Sequence, residues 1–133
     1  MDHHQIINSI SDPVVIMDMD VGHFVDCNDL ALRLFGLSKE ELLQTSPSKL
    51  SPSNVYGQDA ETYSRQLIQE ALAGANPAFD WVHIDKSGKE FPCEVRLMRI
   101  PPFDRNLVRG TIIHKEDKNR IGRRASESRL ILT

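Results

Sequence analysis

Three side chains able to do chemistry, Trp81, His83 and Cys93, fall within the run FDWVHIDKSGKEFPCEVRL, Phe79 to Leu97, and His114 follows shortly after. A thiolate beside a base would be a nucleophile, an imidazole could carry protons or bind metal, and an indole could stack on a flat ligand. The surrounding spacing decides between these uses. Phe91, Cys93, Val95 and Leu97 alternate with Pro92, Glu94, Arg96 and Met98, the period-two pattern of a strand with one buried face. Cys93 is thereby read as a core thiol, because a nucleophilic cysteine needs a base and an electropositive setting. His83 projects from the neighbouring strand in a register that sequence does not fix. A solvent-facing or hydrogen-bonded ring is its expected state, as for His114. Trp81 is expected to pack, with an indole N–H that wants a partner. Asp85 to Gly88 reads as a turn ending on a glycine at positive φ, so the whole stretch is a hairpin before it is a reactive site.

Chemistry elsewhere is sparse. The seven glycines are scattered and form no phosphate cradle, nucleophile elbow or metal-binding helix motif. Arg123 and Arg124 read as a solvated helix face.

The elements that position these residues follow from their spacing. Ile6, Ile7 and Ile10 make a short opening helix, which Asp12 and Pro13 stop. Val14 to Met19 and His23 to Cys27 form a first hairpin. Asn28 caps a two-turn helix that ends at Gly36, and Ser38 with Glu41 is a capping box opening a second short helix. Thr45 to Gln58 is rich in serine, proline and asparagine and reads as a loop with at most one helical turn. Asp59 caps the longest helix, ended by Gly74 and Pro77. Three strands follow, Phe79 to Asp85, Lys89 to Ile100 and Leu107 to Lys115, as an antiparallel meander. Ile121, Ala125 and Leu132 in the charged tail predict the start of another helix.

At 133 residues the chain has the length of one domain. A formal net charge of -3, from 16 basic and 19 acidic residues, sets up no field for nucleic acid or an anionic membrane, and neither is an expected partner. Apolar runs fall far short of the roughly 20 residues that span a bilayer, and no stretch reads as a signal peptide. Two cysteines without paired spacing fit a reducing compartment, so the cytoplasm is the expected location.

Two strands, short helices, one longer helix and a three-stranded meander, in that order, resemble the PAS sensory domain over residues 5 to 116. The local phrases agree. Asp18, with Gly22 two residues before Phe24 and six before Asn28, is similar to the family's first hairpin running into an asparagine-capped helix. LFGLSKEELL, Leu34 to Leu43, resembles its glycine followed by a Ser-x-x-Glu-capped helix, and FDWVHIDKSGKEFPCEV resembles its second hairpin. Val21 is an extra residue in the first turn, and Lys118 and Asn119 replace two residues of the Asp-Ile-Thr phrase that begins at Asp117.

The resemblance implies an α+β fold: a five-stranded antiparallel sheet with helices over one face, enclosing a small cavity. It divides the chain into a cap helix over 1–12, the sensory domain over 13–116 and a signalling helix from 117 to 133. Resemblance and strand alternation together place Phe35, Tyr63, Leu67, Trp81, Cys93, Val95 and Ile112 at the cavity, with Asn28 near its mouth. Asp117 and Ile121 would relay the signal. Haem-binding members use a histidine on the long helix, and Asp59 to Ala73 contains none. Members that form a light-driven flavin adduct use a cysteine after the first capped helix, and Phe35 to Gln58 contains none. A noncovalent flavin stacked on Trp81 stays open. The main expectation is a sensory module without catalysis, cut from a histidine kinase or a cyclic-dinucleotide enzyme and passing an unknown small-molecule signal to that output domain. The rival is a ligand-free homodimerisation module, in which Ile6, Ile7 and Ile10, able to cover the sheet's outer face within one chain, meet the same helix of a second copy instead. An enzyme would need a base and a nucleophile converging in the cavity, and nothing in the sequence places such a pair.

Overall fold

The structure, a computed structural model, describes residues 3–115. Asp117 and Ile121, and with them the expected helix over 117–133, lie outside the described residues. Helix α1 (His3–Asn8) leads into strands β1 (Val14–Asp18) and β2 (His23–Cys27). Short helices α2 (Asp29–Phe35) and α3 (Lys39–Leu42), a 3₁₀ turn (Ser48–Leu50) and the two-residue strands β3 (Asn54–Val55) and β4 (Gln58–Asp59) follow. Helix α4 (Ala60–Leu72) and strands β5 (Ala78–Ile84), β6 (Glu90–Ile100) and β7 (Leu107–His114) complete the described residues.

Five strands form one antiparallel sheet in the order β2-β1-β7-β6-β5, with the last strand in its middle. The run Val14-Val15-Ile16-Met17 is buried throughout because alternate residues face two different layers. Val15 and Met17 join the main core beneath the helices. Val14 and Ile16 point the other way and pack with Ile7, Ile100 and Leu107. Helix α1 therefore covers the outer face within one chain: Ile7 is 2 % exposed, Ile10 is partly buried there, and Ile6 alone stays at 40 %. Of the three isoleucines assigned to a dimer contact, this leaves Ile6 on the surface.

Local signals set the helix ends. The Ser38 hydroxyl accepts from the Glu41 N–H and the Glu41 carboxylate accepts from the Ser38 N–H, the reciprocal pair that a capping box requires. Gly36 takes a left-handed conformation, φ 71°, and its N–H returns to the Leu32 carbonyl. Within 45–58 the chain is more regular than its composition predicts. Tyr56 and Gly57, both at positive φ, close the small β3–β4 hairpin. A left-handed tyrosine is uncommon, so the pattern gave no hairpin signal there.

At one end of the sheet two loops are clasped together. Asp18, fully buried, pairs with Arg105, and Asp20 accepts from the Asn106 side chain at 3.0 Å. Burial raises the Asp18 pKa, but the Asp20 N–H and the Arg105 guanidinium more than offset that and leave it below the ordinary carboxylate value.

Candidate functional site

The centre of the sheet's inner face lacks a side chain where one is expected. Gly110 on the middle strand β7 lies level with Val15 of β1 and Leu97 of β6. A Cβ there would stand 3.2 Å from Val15 Cγ2 and 3.5 Å from Leu97 Cδ2, tighter than ordinary packing for the first. The space above Gly110 is a cavity of about 40 Å³, walled by Phe24, Trp81, Val95 and Ile112 and overlain by Ile68 of α4 and Pro47. At the 10–15 Å³ needed per water, that is room for about three small groups.

A polar knot borders this apolar space. The Trp81 indole donates to Ser51 Oγ at 2.9 Å, and the Ser51 hydroxyl donates to the Pro47 carbonyl at 2.6 Å. His83, which also lines the cavity, places Nδ1 2.8 Å from the Leu50 carbonyl. A carbonyl only accepts, so Nδ1 carries the ring proton and Nε2 keeps the lone pair. The 3₁₀ turn Ser48–Leu50 is thus tied to β5 through two inward side chains of one strand. Burial lowers the His83 pKa to about 4, and the bond to Leu50 opposes that shift without overcoming it, so the ring is neutral at pH 7.

Ser51 Oγ also lies 3.4 Å from His83 Nδ1, a serine–histidine contact that the sequence did not reveal. The hydroxyl proton belongs to Pro47 and Nδ1 already bears its own proton, so the imidazole cannot deprotonate the serine. The cysteines are equally inert. Burial pushes the Cys27 thiol up to about 11 and the Cys93 thiol to about 12.

Of the residues assigned to the pocket, Trp81, Val95 and Ile112 line it. Cys93 shares their face but is fully buried, its thiol 3.6 Å from the Trp81 carbonyl. Phe35 lies further along the core, edge-on to His83 at 5.1 Å, and Tyr63 packs on Trp81 at 5.4 Å. Leu67 enters the core, while its neighbour Ile68 and, one turn earlier, Ser64 are the α4 residues at the cavity. Asn28 is not at a mouth. Its Oδ1 accepts from Val14 and Ala31 N–H, each at 3.0 Å, and its Nδ2 donates to Ile7 and Asp12 carbonyls at 3.0 and 2.8 Å. All four valences of the amide are filled, and they join α1, β1 and α2. Val15, Phe24, Leu97, His83 and Gly110 went unassigned, because strand facing and register come from pairing. His114, on the same inner face, stacks on Phe91 with centroids 4.9 Å apart.

The cavity is far below the roughly 300–1,000 Å³ of cofactor and drug-sized pockets. Its bordering N–H donors, Trp81 Nε1 and His83 Nδ1, are already committed to Ser51 and Leu50. Among the described residues no group of three His, Cys, Asp or Glu gathers to hold a metal ion.

This arrangement of bent sheet, short helices and interior void is the architecture of a sensory domain. The PAS domain family matches residues 11–116, and the chain belongs to it. Solved structures share the fold. A domain of a sensory box sensor histidine kinase/response regulator from Geobacter sulfurreducens superposes with a TM-score of 0.67 at 16 % identity, covering 82 % of this chain and 88 % of that one. The Rhodobacter sphaeroides LOV protein gives 0.67 at 16 %, covering 84 % and 64 %. The PAS domain of a LuxR-family transcriptional regulator from Burkholderia thailandensis, solved in complex with ethanol, gives 0.62 at 17 %, covering 86 % and 97 %. No curated protein matches the sequence. No described helix is long and apolar enough to cross a membrane.

Proposed function

We propose that this PAS domain is a non-catalytic sensor whose input is a small, largely apolar molecule held above Gly110. Its output would pass through the chain that follows β7 to an attached signalling domain, a histidine kinase or a cyclic-dinucleotide enzyme, in the cytoplasm. The observation that carries this reading is the apolar space itself, which lies against Gly110 and is lined by Val15, Val95, Leu97 and Ile112 of the sheet, where close packing would ordinarily leave little room. The tie from Trp81 and His83 to residues 47–51 supplies a coupling route, since a molecule pressing on either ring strains a separate segment. A preference of about 1–3 kcal/mol for one arrangement is enough to bias an output. The ethanol complex of the Burkholderia domain supports an input of this size.

Native mass spectrometry of freshly purified protein, with thermal-shift screening of small molecules, tests this. The wild type is expected to carry or gain a ligand that Val95→Phe, which fills the void, excludes. A wild type that neither carries nor gains any small molecule contradicts the proposal. A second reading, homodimerisation, is favoured by Ile6 on α1 and Met98 on the sheet, 40 and 41 % exposed. Sedimentation of wild type and Ile6→Glu tests it: a dimer that the charge disrupts supports the reading, and a wild-type monomer at all concentrations removes it.

A further inference from the structure

A second space of about 100 Å³ adjoins the first, and the two share Met17, Pro47, Ser64 and Ile68 as common wall. Their chemistry differs. The inner space is apolar, and its bordering N–H donors serve Ser51 and the Leu50 carbonyl. The outer space has Ser46, Ser48, His23, Glu61 and Arg65 on its walls. Arg65 and Glu61 neutralise each other there through a 2.9 Å ion pair. From this we infer that the ligand is an uncharged amphiphile, its short apolar tail above Gly110 and its hydroxyl- or amide-type head between the first turns of α4 and the 46–48 segment. The inference rests on the sensor reading above and narrows it.

Two physical points fix the polarity and the charge. A head buried inward would lose its water without gaining a donor, whereas in the outer space the guanidinium N–H groups of Arg65 not used by Glu61 can donate to it, and the oxygens of Ser64, which donates to the Glu61 carbonyl, and of the Ser46–Ser48 pair can accept from it. A charged head would have to compete with Glu61 for Arg65, or with Arg65 for Glu61, and an uncharged one avoids both. The wall between the spaces contains Met17, an unbranched side chain that moves aside readily.

The full chain carries a single tryptophan, Trp81, at the inner space, so its fluorescence reports filling directly. The probes are 1-alkanols from ethanol to 1-octanol, with hexanoate and hexylammonium as charged controls. Affinity is expected to rise about fourfold per methylene until the tail space is full. Hexanol should bind at least tenfold tighter than either charged control. Ser46→Leu with Ser48→Leu, two residues on the walls of the outer space alone, should weaken hexanol about tenfold, and Val95→Phe should abolish the response. Ile112→Phe serves if circular dichroism shows that Val95→Phe is unfolded. Alkanol binding that the filling variant abolishes but that is blind to head charge and to the serine substitutions overturns the amphiphile and leaves the cavity reading standing. No response to any probe in folded wild type removes both.

Discussion

Two polar knots hold this fold, and they differ in what surrounds them. Asn28 fills all four of its hydrogen bonds within dry packing beside Ile7 and Val14, at 2.8–3.0 Å throughout. Trp81, His83 and Ser51 are buried too, yet the two rings border a void, and one contact of the group is stretched to 3.4 Å. A satisfied amide in tight packing has one arrangement, whereas a satisfied knot beside empty space can take up a second at low cost. The first is a rivet and the second a coupling.

The largest effect is expected at the rivet. Asn28→Ala removes the side-chain partner of the Val14 N–H and of the Asp12 carbonyl, while the Ala31 N–H keeps the residue-28 carbonyl and the Ile7 carbonyl keeps the Ile10 N–H, and it should cost about 3 kcal/mol in urea unfolding. Alkanol binding by the fraction that remains folded should be unchanged, because Asn28 touches no part of the cavity.

Next comes pH. A free imidazole titrates near 6.5 and the buried His83 at about 4, so between those values the unfolded chain takes up a proton that the folded chain refuses. Stability should therefore be level above pH 6.5, fall by about 3 kcal/mol as pH drops to 4, and level off below for this group. Urea midpoints of wild type and His83→Gln across pH 4–7 check this, and the difference between the two isolates the histidine from the carboxylates. A difference that does not vary with pH would mean that the ring is not held neutral.

The smallest effect on stability, about 1–2 kcal/mol, is expected for Ser51→Ala, which leaves the Trp81 N–H without its acceptor. Its effect on ligand response should be the clearer one, since the turn loses one of its two ties. If Ser51→Ala shifted neither tryptophan emission nor alkanol affinity, the two knots would be equivalent and the distinction between them would lapse.

Much of the scaffold was legible in the sequence, and for identifiable reasons. Asn28, Gly36, Ser38 and Asp59 announce helix ends through local chemistry, and the alternation from Phe91 to Leu97 fixes the buried face of β6. The cavity was legible only in part. Trp81, Val95 and Ile112 follow from the family resemblance together with alternation, but Gly110 becomes meaningful only once Val15 and Leu97 are seen on either side of it. Leu67 and Ile68 lie on one apolar stripe, and only packing against the sheet decides which of them faces the space. The Ser51–Trp81 bond spans 30 residues from an irregular segment, and no periodicity encodes it.

The two faces of the sheet give the most direct test of the sensor account. Methyl-resolved NMR of the full chain titrated with 1-butanol should move the signals of Val15, Val95, Leu97 and Ile112, which surround Gly110. Those of Ile7, Val14, Ile16 and Leu107 on the opposite face should stay fixed. Saturable shifts confined to the first group are the predicted result, and shifts confined to the second group, or equal on both faces, would contradict it.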